Sequence, residues 1–158
     1  MFMRALISFV ALPGILAVLA PPLIAGVDPW KNAFWVPGIL VMMAGAAILL
    51  WCVRDFFVSG KGTLAPWDPP KRLVVTGLYR FMRNPMYAGV LLLVLGWGLS
   101  LSSPLLFSYA VVLAIGFHIR IVKYEEPWLK AKFGDQWESY RQSVSRWWPR
   151  IFPWKDKV

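Results

Sequence analysis

Apolar residues gather along this chain in runs of helix-spanning length, and the polar residues fall between and after them. Ala5 to Val27 is the first run, interrupted by Pro13, Pro21 and Pro22. Phe34 to Val53 is the second, closed by Arg54 and Asp55. Polar sequence follows from Ser59 to Arg83. A third run goes from Pro85 to Leu101, and a fourth, after the tight turn Ser102-Ser103-Pro104, from Leu105 to Ile119. A helix needs roughly 20 apolar residues to cross a bilayer, with a range of about 17–25. The pattern predicts an all-α, polytopic membrane protein in one domain, 1–158. Its transmembrane helices, about four, cover 5–27, 34–53, 85–101 and 105–119, with cytoplasmic helices in the C-terminal part. The third and fourth spans make a short hairpin. The first run has a second reading as a signal peptide, although it is long for a signal core of about 7–15 residues.

Composition agrees with the pattern. Hydrophobic residues make up 58% of the 158 and charged residues 16%, and the mean hydropathy is +0.56. An ordinary soluble domain is about 45–50% apolar and about 25% charged, so that class is excluded, and disorder with it. One cysteine, Cys52, and one histidine exclude a disulfide framework and a multi-ligand Cys/His metal centre, so no metal is expected. The net charge of +9 is a matter of topology. With four spans, Lys31 stands alone on one side, and the other 16 of the 17 Lys and Arg residues share the opposite side. The positive-inside rule makes that side cytoplasmic. The charge predicts an inner or equivalent cytoplasm-facing membrane with both termini in the cytoplasm, and the flavour of the chain's motifs makes a bacterial inner membrane the expected one. Anionic lipid accounts for the remaining basic character, so nucleic acid is not an expected partner. The sequence leaves the oligomeric state open.

Nearly all polar chemistry lies in two blocks on the cytoplasmic side, 59–87 and 118–150. In the first, Pro66, Pro69 and Pro70 predict an extended stretch, Lys71–Val75 a strand or extended segment, and Thr76 the N-cap of a short helix to Arg83. Asn84 is expected to cap the third span, with Pro85 in its first turn. In the second block, His118 and Glu125 are seven apart and share a face if the helix continues. Arg120 lies well around from Glu125, and Lys123 neighbours Glu126. Pro127 disfavours helical geometry at Glu126. The acids Glu125 and Glu126 either pair with Arg or Lys or serve a ligand. Gly134 reads as a helix stop, followed by a helix over 136–144 with Asp135 and Glu138 at capping-box spacing. Trp147, Trp148 and Trp154, among Arg and Lys, read as an interfacial belt. Gly96-Trp97-Gly98 reads as close helix packing, and Cys52 as packing.

Together the two blocks resemble the isoprenylcysteine carboxyl methyltransferase and phospholipid methyltransferase superfamily. The matching residues are Thr76-Gly77-Leu78-Tyr79-Arg80 and Arg83-Asn84-Pro85-Met86-Tyr87-x-Gly89. Beyond one helical hairpin come Tyr124-Glu125-Glu126-Pro127, Leu129, Phe133-Gly134, Tyr140 and Arg146. The resemblance covers roughly Gly60 to Pro149. It implies an integral membrane enzyme that uses S-adenosyl-L-methionine on a lipid-like or membrane-associated acceptor, with membrane lipids as partners. It implies that Lys71, Arg72, Leu73, Val74, Tyr79, Asn84, Pro85, Met86 and Tyr87 line the cofactor, and that Glu125 and Glu126 contact it. If the acceptor is an amine, Glu125 or His118 would take its proton; if it is a carboxylate, Arg120 would orient it, with Lys123 as a competitor. Asn84 stands where carboxyl methyltransferases usually have His. Asn-Pro-Met-Tyr and Tyr-Glu-Glu-Pro look more like the phospholipid N-methyltransferases, while the Phe-Gly tail looks more like the carboxyl methyltransferases. The rival readings are a non-catalytic membrane assembly or lipid-binding module that retains the fold, which would bind no cofactor, and a nicotinamide-dependent reductase on a related scaffold.

Overall fold

The structure, a computed structural model, describes residues 10–32, 35–55, 58–59 and 72–155. A π-wound segment, Val10–Leu19, runs into α1, Ala20–Val27. Helix α2 is Val36–Asp55 and α3 is Pro85–Leu101, with a 3₁₀ turn, Gly77–Arg80, ahead of α3. Helix α4, Pro104–Arg120, passes through a π turn, Ile121–Glu125, into α5, Glu126–Ser143. There is no strand among the described residues. Two helical stretches are long and apolar enough to cross a membrane, α2 and the continuous helix 104–143; 14–27 and α3 are apolar but shorter. Leu23, Leu40 and Val112 stand 73%, 65% and 65% exposed, as faces turned toward lipid rather than water would be. Length, composition and exposed apolar faces together give the chain the character of a membrane protein.

The packing of α2 on α3 follows from glycine placement. Gly38 and Gly45 on α2 face Gly96 and Gly89 on α3, an antiparallel seam whose members are seven positions apart on each helix. Seven residues return a helix to nearly the same face. A Cβ on Gly45 would sit 2.8 Å from the Gly89 carbonyl oxygen, and one on Gly96 would sit 2.7 Å from the Met42 nitrogen. Backbone meets backbone here, which only small residues permit. The expected close packing at Gly96 and Gly98 is present, with the Phe107 ring over Gly98.

At the hairpin, Ser102 takes the left-handed conformation (φ 45°) and ends α3. The Ser103 hydroxyl accepts from the Leu106 N–H, capping α4. Buried Asp28 accepts from the Ser103 hydroxyl and from the Leu105 N–H, tying the turn after α1 to the hairpin. That link was not expected from the sequence.

Several local expectations need correction. Thr76 makes no capping bond, and the turn it precedes ends at Arg80, not Arg83. Gly77 enters that turn at φ 53°, with Asp55 packed where a Cβ would stand. Asn84 also makes no capping bond; its amide nitrogen donates to the Arg146 carbonyl instead. Glu126 is helical (φ −63°, ψ −44°) despite preceding Pro127. Pro127 offers no N–H to the Lys123 carbonyl and crowds it. The helix absorbs this by widening, and the Glu126 N–H reaches the Ile121 carbonyl five residues back. The break at Gly134 is real (φ 49°, ψ −123°), and helix resumes beyond it. Trp154 is not part of an interfacial belt. It is buried with Trp137, Tyr140 and Val144.

Candidate active site

The segment ahead of α3 is threaded between two apolar clusters. Leu73–Val75 is neither helix nor strand, and its side chains alternate between the two clusters as those of an extended chain would. Val74 enters a cluster with Cys52 and Tyr79, and Leu73 and Val75 pack on the one around Trp137 and Tyr140. The Tyr140 hydroxyl donates to the Tyr79 carbonyl at 2.6 Å. Burial and the neighbouring Cys52 push the Tyr79 phenol well above its ordinary range, so it stays a neutral wall residue. Arg72 is exposed, and Lys71 lies outside the described residues.

The C-terminal tail straps this segment down. The Arg83 N–H donates to the Ser145 carbonyl, the Arg150 N–H to the Phe81 carbonyl and the Trp154 N–H to the Arg80 carbonyl, each at 2.9 Å. The Arg80 Nε–H returns to the Trp154 carbonyl at 2.8 Å. Neighbouring backbone groups are thereby satisfied without a strand.

Both acids are engaged by arginines, from different directions. Glu126 accepts from Arg83 (2.9 Å) and from Arg146 through both carboxylate oxygens (2.7 and 2.9 Å). The Arg83 side chain is 9% exposed and that of Glu126 14%. Burial opposes the charge on Glu126, but the Arg146 hydrogen bonds and the charges of Arg83 and Arg146 outweigh it and hold the carboxyl below its ordinary range. The expected neighbour Lys123 takes no part in these bonds. Arg83 also lies over the Trp137 ring, 5.5 Å from its centroid. Glu126 thus fastens the tail and the residue preceding Asn84 to the start of α5.

Glu125 belongs to a more open group. It accepts from the Tyr87 hydroxyl and, at 2.9 Å, from Arg120 Nε, and both bonds fall on Oε1. Arg120 also donates to the Tyr87 oxygen at 3.2 Å. The Glu125 and Arg120 side chains are 31% and 42% exposed. Tyr87 rests on Phe117, with ring centroids 4.5 Å apart. Arg120 was expected to lie away from Glu125, and on an α-helix five residues do point about 140° apart. The π turn closes at a five-residue interval instead and brings the two together. The same shift separates His118 from Glu125. His118 meets Trp147, whose indole N–H donates to His118 Nδ1 at 3.2 Å. It edges a groove of about 430 Å³ lined mainly by Leu91, Ala114, Ile115 and Ile119.

The structure therefore brings Tyr87, Glu125 and Arg120 into one cluster, with Glu126 and Asn84 each bonded to Arg146 of the strap and Pro85 opening α3. Met86 and Val74 belong to the adjoining apolar wall. Arg83 and Arg146, the partners of Glu126, were not singled out as site residues in the sequence. They stand 43 and 20 residues from it, and the available signals were an acidic pair in a basic region, which needs cations, and the presence of both arginines among the family-matching residues. No group of three or more His, Cys, Asp or Glu suited to a metal occurs among the described residues.

Comparison with known proteins bears on this arrangement. The family model for phospholipid methyltransferase matches residues 35–136. A probable protein-S-isoprenylcysteine O-methyltransferase of Oryza sativa subsp. japonica is 32% identical over 78 residues, 49% of this chain and 41% of the relative. Protein-S-isoprenylcysteine O-methyltransferase B of Arabidopsis thaliana is 36% identical over 73 residues, 46% and 37% of the two chains. The A form from the same plant is 35% identical over 121 residues, 73% and 60%. The chain thus spans about two-fifths of the length of the first two relatives and 60% of the third.

Proposed function

The chain belongs to the phospholipid methyltransferase family, and from that premise we propose that it transfers a methyl group from S-adenosylmethionine to a lipid-like or membrane-associated acceptor. The observation that carries the reading is the Tyr87–Glu125–Arg120 cluster, polar and half-open, at the junction of α3 and α4 with the strap.

The donor set suits such a cofactor. Among the described residues the bonds to Glu125 fall on Oε1, and Oε2 is the atom we assign to an ammonium or a ribose hydroxyl. Arg83 and Arg146 set two positive charges around the one carboxylate of Glu126, an excess that favours the cofactor's carboxylate. Val74 and Met86 offer an apolar surface for a base. S-adenosylmethionine supplies the methyl group already activated on a sulfonium, so the protein's task is alignment.

Tyr87, held between Phe117 and Glu125, fixes the floor of the site. Glu125 takes the proton if the acceptor is an amine, and Arg120 orients it if it is a carboxylate. The apolar groove beside His118 and Trp147 receives the acceptor's hydrocarbon chain, which is the role left for His118 as an edge residue. On a four-span reading, 16 of the 17 Lys and Arg residues fall on one side, and the positive-inside rule supports a site and termini that face the cytoplasm, in what we take to be a bacterial inner membrane.

The test is transfer of labelled methyl by purified protein in nanodiscs containing amine phospholipids or prenylated cysteine. Volatile methanol released by base would identify an ester; base-stable lipid label would identify an N-methyl group. Either product, lost in Tyr87→Phe and Glu125→Gln, supports the reading. Label in neither acceptor, from protein shown to be folded, overturns it in favour of a non-catalytic lipid-binding module.

A further inference from the structure

We propose that the loop from Trp148 to Phe152 is a membrane-surface anchor that seats the C-terminal strap on the anionic headgroup layer of the bilayer. Trp148, Ile151 and Phe152 are 80%, 87% and 75% exposed. Ile151 and Trp148 are the most exposed large apolar side chains among the described residues. Unlike the exposed residues of α1, α2 and α4, they do not belong to an apolar helix; Trp148 also lines the groove beside His118, so Ile151 and Phe152 are the two that the spans leave unaccounted for.

The loop is tied at its middle and on either side: the Arg150 N–H is bonded to the Phe81 carbonyl, the Trp154 N–H beyond it to the Arg80 carbonyl, and the Ser145 carbonyl ahead of it accepts from the Arg83 N–H. Val144 and Trp154 are buried to either side. Presentation is therefore built into the fold, and little ordering remains to oppose docking. Phe81 and Arg80 lie just ahead of Pro85, where α3 begins. The loop thus sits at the level where that helix enters the bilayer.

Its charge names the surface. Apart from Arg146, which is paired with Glu126, the chain from Ser145 to the end carries Arg150, Lys155 and Lys157 against the single acid Asp156. Large apolar side chains among basic ones suit an interface of hydrocarbon and anionic headgroups. The same charge disfavours a second copy of this chain as the occupant. Because the strap also carries Arg146 to Glu126, the bilayer would steady one wall of the candidate site. The inference rests on the membrane character of the chain and not on what is methylated.

The experiment places an environment-sensitive fluorophore on Phe152→Cys, and separately on Ile151→Cys. Cys52 is fully buried, which directs the label to the introduced thiol. The proteins are reconstituted in nanodiscs of neutral phosphatidylcholine and of phosphatidylcholine with phosphatidylglycerol. The expected result is quenching by headgroup-level nitroxide lipid and protection from aqueous iodide, stronger in the anionic discs and reduced by high salt. Iodide quenching equal to that of free dye in both discs would overturn the proposal. So would protection that appears in detergent alone as protein concentration is raised, because that would put a second copy on the patch. Neither readout requires turnover, so failure here is distinct from failure of the methyltransferase reading.

Discussion

Glu126 is enclosed and Glu125 is not, so the same isosteric change should act differently at each. Glu126→Gln leaves Arg83, 9% exposed, without its charged partner. Breaking one half of a buried ion pair costs roughly 3–5 kcal/mol, to be read as a lowered unfolding temperature in detergent. Glu125→Gln touches a side chain about one-third exposed, so its effect on stability should stay within about 0.5 kcal/mol, while cofactor affinity falls. The pH dependence follows from Glu126. Its carboxyl is held below the ordinary glutamate range in the folded protein, so its contribution is complete above that range and is lost as pH falls through the depressed value. Thermal unfolding of the wild type measured down an acid series should lose stability in that window, and Glu126→Gln should lose less. A parallel acid dependence in the two proteins would contradict the assignment.

Two features at the level of elements carry the geometry. The first is the π turn at Ile121–Glu125, which Pro127 imposes and which joins Arg120 to Glu125. Pro127→Ala restores the missing donor and allows the α-helical register. The helix should be retained or strengthened, whereas methyl transfer and cofactor affinity should fall as Arg120 turns away; unchanged affinity would show that the π turn has no part in the site. The second is the glycine seam. Gly45→Leu drives a side chain into the Gly89 carbonyl and the Leu93 nitrogen and should unseat α2 from α3, seen as a sharply lowered detergent unfolding temperature. Gly26→Leu, where a Cβ meets nothing within 4 Å, should be tolerated.

At the scale of the whole molecule, the second, third and fourth hydrophobic runs marked α2, α3 and α4 to within about two residues, because span length and proline placement are local properties; the start of the first run, at Ala5, lies outside the described residues. α3 begins and ends where its run does. The two polar blocks were also legible, since bilayer physics forces polar residues out of the spans. The pairing of those residues was not. Arg83 and Arg146 reach Glu126 through the strap, and Asp28 reaches Ser103 across 75 residues of sequence, contacts that only topology creates. Arg120 was misplaced because the α-helical period was assumed through Pro127, and Trp154 because its surrounding basic residues read as an interface. The four-span arrangement has its own test. Thiols introduced at Lys31 and at Lys155, on either side of the proposed membrane, should react with an impermeant reagent from opposite faces of inner-membrane vesicles; labelling from one face would refute the topology.

The central claim is that the cluster of Tyr87, Glu125 and Arg120 belongs to a site for a methyl donor. Calorimetric titration of the purified, detergent-solubilised protein with S-adenosylmethionine and its demethylated product, with NADPH as control, tests it most directly. The account requires saturable binding of the first two, none of the third, and affinity weakened at least about tenfold in Glu125→Gln, equal to about 1.4 kcal/mol, at an unchanged unfolding temperature. Absence of binding to folded wild-type protein, or undiminished binding in that variant, would contradict it.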